Sequence, residues 1–246
     1  MRLKSLTCDA LARPVYFCAA RSPQIVDVQL VERHLHKPEE IRGRLQQMID
    51  ATDSQEYQAI PLAFGLCGQT TAGLVARSLP LVIPRAHDCI TLFLGSRQRY
   101  KAEAEREPGT FWYSQDYLER KSENSGALAM GATTDADTQL MYEKYIQKYG
   151  RAKADRLMAV MGEWMTHYTR AVYLDLGFGD ESLAEAEARA SAASHQWKYE
   201  RIAVNLDLFQ RLLNGQWDAE DFLVVQPGQT VAMSYDDLIL EAREAA

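Results

Sequence analysis

Short apolar runs alternate with segments of helical period through the first 115 residues. "PVYFCAA" at 14 to 20 is β-branched and aromatic and predicts a strand, and "VDVQLV" at 26 to 31 alternates like one. "PEEIRGRLQQMIDAT" then opens on Pro38 and two acids and spaces Ile41, Leu45, Met48 and Ile49 along one helical face. The rhythm continues with a strand in "AIPLAFGLCG", a short helix near Thr70, and a strand in "LPLVIPRAHDC". A helix from about Asp88 through "CITLFLGSRQRYKAEAER" and a strand in "GTFWYSQ" complete it. Short apolar strands separated by helices predict a parallel sheet covered on both faces, a Rossmann-like lobe over 1–115.

Residues 116 to 135 turn small and polar, a loop-rich connection. A long helical tract follows, read as two helices separated at Gly150, and then "AVYLDLGFG" as a strand, a helix from Asp180 to His195, and "ERIAVNLDL" as a strand. A helix "FQRLLNGQW" and a strand "DFLVVQPGQTV" end the pattern. The expected fold class is therefore α/β, with Rossmann-like parallel sheets in two lobes, 1–115 and 116–246, and a cleft between them. Identity between the halves is too low to name a repeat.

Composition narrows the function classes. With 47% hydrophobic and 25% charged residues, the chain is of ordinary globular composition. A net charge of −7 makes nucleic acid an unfavoured partner. No stretch approaches the roughly 20 apolar residues that cross a bilayer, and Thr7, Asp9 and Arg13 interrupt any secretory core, so no membrane association and a cytoplasmic location are expected. All 4 cysteines, Cys8, Cys18, Cys67 and Cys89, fall in the first 89 residues. In a reducing compartment thiols serve metals, redox chemistry or packing more often than structural disulfides.

In open parallel sheets ligands collect beyond the carboxyl ends of strands. Three cysteines are read at such ends: Cys18 closing "VYFC", Cys67 closing "LAFGLC" and Cys89 after "LVIPRAHD". Neighbouring strands lie about 4.8 Å apart, so thiols on their end loops can converge on one metal. Three thiolates with an open fourth position suit zinc or an iron-sulfur cluster, with His36 or His87 as added nitrogen donors. Three separately buried cysteines are an equally available reading. Gly65 and Gly68 bracket Cys67 and permit a tight turn with close backbone approach, and Thr70 offers an amide and a hydroxyl to a bound group. In "RAHDC", Asp88 caps the following helix, Arg85 is placed to hold a small anionic substrate, and His87 to act as acid, base or ligand.

"AFGLCG", "LVIPRAHDCITLFLGSRQRY" and "PGTFWYSQ" together resemble the domain-of-unknown-function family numbered 1638, found in methanogens and bacteria, across most of residues 13 to 225. The resemblance matches Cys18 to a family cysteine after the first strand, Gly65 to Gly68 to its "GLCG" turn, Arg85 to Cys89 to its "RAHDC" segment, Pro108 to Thr110 to its "PGT", and His36 to a histidine before the first long helix. Members often close the "PGT" segment with glycine and tryptophan, where this chain reads "SQDY" at 114 to 117. The family's occurrence beside corrinoid-dependent methyl-transfer systems implies one-carbon, sulfur or cofactor metabolism, with a corrinoid protein or methyltransferase as partner and corrinoid only as that partner's cofactor.

The leading expectation is a metal-binding protein, zinc or iron-sulfur, with Cys18, Cys67 and Cys89 as ligands. Two others stand beside it. One is a metal-free enzyme using Arg85, His87 and Cys89 on a small anion. The other is a non-catalytic accessory protein of methyl transfer.

Overall fold

The computed structural model describes residues 1–32, 38–120, 135–180 and 182–245. The chain divides into two units, Met1–Lys101 with Val204–Ala246, and Ala102–Ala203. The carboxyl-terminal segment thus belongs with the amino-terminal lobe, where the linear reading assigned it to the second.

In the first unit, β1 (Arg2–Cys8), β2 (Ile25–Val31), β3 (Ile60–Ala63), β4 (Leu81–Pro84) and β8 (Phe222–Val225) form one sheet in the order β2-β1-β3-β4-β8. The first four run parallel, with Leu6 opposite Leu62 and Ile60 opposite Leu81. β8 closes the edge antiparallel to β4, Val82 facing Val224. This pairing brings the chain's last segment back to the first unit. "DFLVVQPGQTV", read as one strand, is two: it breaks at Gln226–Gly228 and continues as β9 (Gln229–Met233), which pairs with β10 (Leu240–Glu244).

"RLKSLTC" is the true first strand, and "PVYFCAA" lies in helix α1 (Ala12–Ala20). Pro14 is tolerated there because it stands in the first turn, where no intrahelical amide partner is required. Helix α2 (Pro38–Asp50) follows the expected face, with Leu45, Met48 and Ile49 buried in a core with Leu6, Leu62 and Ile83. The helix expected near Thr70 is instead a turn. The one expected from Asp88 divides at Gly95, whose φ of 79° ends α3 (Cys89–Leu94) before α4 (Arg97–Arg106) begins. Helix α9 (Asp207–Asn214) packs against α1.

The second unit holds a parallel sheet β5-β6-β7 (Thr110–Tyr113, Arg170–Asp175, Lys198–Ala203). Helix α5 (Gln115–Glu119) follows β5, and α6 (Asp135–Tyr149) and α7 (Arg151–Met165) meet at Gly150 as expected. Ala184, Ala188 and Ala192 make a small-residue face on α8 (Ser182–His195) that packs with Phe111 and Tyr173 of the sheet. Small residues at helical spacing leave room for the bulky rings opposite them. Among the described residues no helix is long and apolar enough to cross a membrane.

Candidate functional site

The order β2-β1-β3-β4 reverses direction between β1 and β3: the chain steps from β1 to one side for β2 and returns to the other for β3. At such a reversal the connecting segments leave the sheet in opposite senses, opening a crevice at the strands' carboxyl ends. Cys8 is the last residue of β1, and Cys67 follows the end of β3 by a short loop. Cys89 opens α3 just beyond β4.

The loops after β3 and β4 run side by side. Leu66 donates its amide to the Ala86 carbonyl at 2.8 Å, and Cys67 donates to the His87 carbonyl at 2.8 Å, extending the parallel pairing past the strands. Gly65 permits this closeness, since a Cβ there would stand 2.6 Å from the Asp88 Cα. Cys67, Gly68 and Gln69 then take φ values of 44°, 66° and 75° in succession. Gly68 adopts this freely, but Cys67 and Gln69 carry strain that only surrounding structure can hold. Thr70 fixes the turn from below, its hydroxyl donating to the Cys67 carbonyl at 2.8 Å.

These constraints bring Cys67 and Cys89 close enough for each to act on the other's ionisation. The Cys89 thiol and the backbone amides of Gly65 and Cys89 favour the Cys67 thiolate and lower its pKa. Cys89 moves the other way, held protonated by the Cys67 sulfur, by burial, and by the charge of Asp88. Cys8 is also close enough for its charge to act on Cys89, and its own thiol lies 3.9 Å from the Asp9 carboxylate as donor. Among the described residues, no three His, Cys, Asp or Glu side chains stand gathered closely enough to hold a metal ion as placed.

Cys18 does not take part. It lies on α1, fully buried, with its carbonyl accepting from Gln210 of α9 at 3.2 Å, and burial pushes its thiol up to about 11. The strand-end cysteine of the first strand is Cys8, whereas the segment expected to be that strand and to end at Cys18 is helical. Arg85 also leaves the site. It is 9% exposed, and its guanidinium donates to the carbonyls of Ala219 at 2.9 Å, Leu238 at 3.1 Å and Leu240. Those bonds tie the end of β4 to the carboxyl-terminal segment and occupy the group expected to hold a substrate anion.

His87 is exposed, with its ring 6.3 Å from that of Tyr100. Asp88 caps α3 as expected, accepting from the amides of Ile90 at 3.0 Å and Thr91 at 3.2 Å. Its other oxygen accepts from the Tyr100 hydroxyl at 3.2 Å, and burial raises its pKa despite these donors. His36 lies outside the described residues. Gly65 and Gly68 serve the turn, and Thr70 is buried beneath it, so all three support Cys67 through the backbone.

Neither a search of curated proteins nor one of solved structures finds a match. The model of a family described as proteins of unknown function, DUF1638, matches residues 30–213, which span the whole of the β3 and β4 loops. The chain belongs to the DUF1638 family.

Proposed function

We propose that the chain binds a thiophilic metal ion, with zinc as the reference case, through Cys8, Cys67 and Cys89. The observation that carries the reading is the pairing of the β3 and β4 loops, Leu66 to Ala86 and Cys67 to His87 at 2.8 Å each, which brings the segments of Cys67 and Cys89 together beside the β1–β3 reversal, with Cys8 ending the neighbouring strand. Cys67 and Cys89 act on each other's ionisation, and Cys67 is favoured as the thiolate that a metal requires. Ligation asks the Cys8 side chain to turn from Asp9 toward the other two. Three sulfur ligands leave one position of a tetrahedral ion for water or substrate, the arrangement of reactive rather than purely structural zinc sites. A metal held there would act as a Lewis acid on whatever took that position.

Metal analysis after anaerobic purification and zinc reconstitution tests the reading. One equivalent is expected in wild type and in Cys18→Ala, with loss in Cys8→Ala, Cys67→Ala and Cys89→Ala. Substoichiometric metal in wild type, or equal loss from Cys18→Ala and Cys8→Ala, overturns it.

A further inference from the structure

The geometry points to an oxyanion subsite, fitted to the phosphate end of a small molecule, between the first turns of α2 and the turn that follows Cys67. Its donors are the Arg42 guanidinium and the backbone amides of Gly68 and Gln69. The subsite uses none of the three sulfurs and stands whether or not a metal binds beside it.

The chain sets the juxtaposition. Pro38 and Arg42 are four residues apart on α2 and so lie on one face of the helix. That face borders the turn at two points. A Cβ on Gly68 would stand 3.8 Å from the Pro38 Cγ, and one on Gly73 would stand 3.7 Å from the Arg42 Cδ and Nη1. Helix and turn belong to the same unit of the chain. Arg85, the arginine expected to hold an anion, is occupied by three carbonyls. Arg42 has no acceptor and no carboxylate partner among the described residues, although Glu39 stands one helical turn before it.

Burial separates this arginine from an ordinary solvated one. Its Nε is closed off from water without a hydrogen bond. A buried donor left unpaired is costly, and an acceptor brought by a ligand removes that cost. The Gly68 and Gln69 amides also have no acceptor among the described residues, and both residues are exposed, so a ligand can reach them. Their successive left-handed conformations, φ 66° and 75°, direct consecutive N–H groups the same way, the arrangement that receives anions in backbone turns. Thr71, fully buried in the same turn, carries a further hydroxyl without a partner.

The donor set suits phosphate better than carboxylate. A guanidinium fork takes two oxygens, which exhausts a carboxylate and leaves a phosphate with more for the amides. The larger charge of a phosphate strengthens each of those bonds. Gly68 follows Cys67 directly, so a phosphate held there leaves the rest of its molecule beside Cys67. That last consequence, a phosphorylated substrate for the metal centre, rests on the metal reading; the subsite itself does not.

The test uses the full chain, stripped of metal by a chelator, titrated with inorganic phosphate and separately with acetate at fixed ionic strength in a calorimeter. Wild type is expected to bind one phosphate saturably, at least about tenfold more tightly than acetate. Arg42→Gln should weaken phosphate binding at least about tenfold, the scale of a lost charged hydrogen bond, and Arg42→Lys should recover part of that loss. In wild type alone, phosphate should move the amide proton resonances of Gly68 and Gln69 downfield, a readout that needs no variant to fold. Cys8→Ala should bind phosphate as wild type does while losing zinc, and Arg42→Gln should take up zinc as wild type does, so this proposal and the metal reading fail separately. Absence of saturable binding, equal affinity for acetate, wild-type affinity in Arg42→Gln, or unmoved Gly68 and Gln69 resonances overturns it.

Discussion

The Cβ position of Gly65 points into the backbone of Asp88, 2.6 Å from its Cα and 2.7 Å from its carbonyl carbon. That contact is between two main chains, so no side-chain rotation can relieve an added methyl. Gly65→Ala must push the β3 and β4 loops apart, at a cost of about 1–3 kcal/mol for overpacking. The same displacement moves Cys67 away from Cys89 and weakens the influence that favours the Cys67 thiolate. Urea unfolding should show the loss of stability. The pH profile of Cys67 alkylation should move toward that of an ordinary thiol. An unchanged midpoint together with an unchanged profile would remove Gly65 from the argument.

Arg85 bridges three carbonyls drawn from Ala219, Leu238 and Leu240, and a lysine ammonium cannot span that fan of acceptors. Arg85→Lys should therefore lose about 2–3 kcal/mol of stability, the scale of one or two charged hydrogen bonds with their acceptors left buried. The rate of Cys67 alkylation should stay within about twofold of wild type, because the guanidinium works on the carboxyl-terminal segment. A stable Arg85→Lys with a slowed or accelerated Cys67 would return Arg85 to the site.

The sequence pattern placed the loops of Cys67 and Cys89 at strand ends because β3 and β4 are continuous apolar runs, "IPLA" and "LVIP", buried throughout. It missed β1 for an equally physical reason. "RLKSLTC" carries Arg2, Lys4, Ser5 and Thr7, yet Ser5 and Thr7 are fully buried, with their hydroxyls 3.1 Å apart and satisfying one another. A strand whose buried polar groups pair internally has no apolar signature, so the sequence pattern points to Cys18 rather than to Cys8 as the cysteine ending the first strand. The role of Arg85 is hidden from the sequence for a different cause: its partners lie 134 to 155 residues further along the chain, beyond any local pattern. The fold of β8 back onto β4 is what brings them there.

Among the described residues of the second unit, Arg170 is the largest fully buried side chain, at 0% exposure. It donates to the Thr110 hydroxyl at 2.9 Å and to Glu103 and Glu200 at 3.0 Å each, and it lies 5.7 Å from the Trp112 ring centre. Arg170→Met would fill the volume but leave two carboxylates with Arg106, at 2.8 Å and 3.0 Å, and with Lys198, 3.7 Å from Glu200. Breaking one side of such a cluster costs about 3–5 kcal/mol when the rest stays buried. Glu103 and Glu200 reach some solvent, so about 2–4 kcal/mol is expected in urea unfolding. Adding Glu200→Gln to Arg170→Met should recover part of the loss, and a double variant less stable than Arg170→Met would contradict the ion-cluster account.

Cys18 gives a pH signature separate from those of Cys67 and Cys89. Burial raises its folded pKa from 9.0 to about 11, so the folded state prefers the protonated thiol more strongly than the unfolded state does. The sign follows directly: the contribution is fully present below pH 9, where both states are protonated, and it is lost as pH rises toward 11, because only the unfolded chain gives up its proton. A shift of this size corresponds to at most about 2–3 kcal/mol. Cys18→Ala removes the titrating group, so its stability should fall less steeply than that of wild type between pH 9 and 11, although it starts lower because of the cavity left against α9. Urea midpoints measured at intervals across that window decide it. Parallel curves for the two proteins would mean that Cys18 ionises as readily folded as unfolded, and that its helix opens to water far more than its burial indicates.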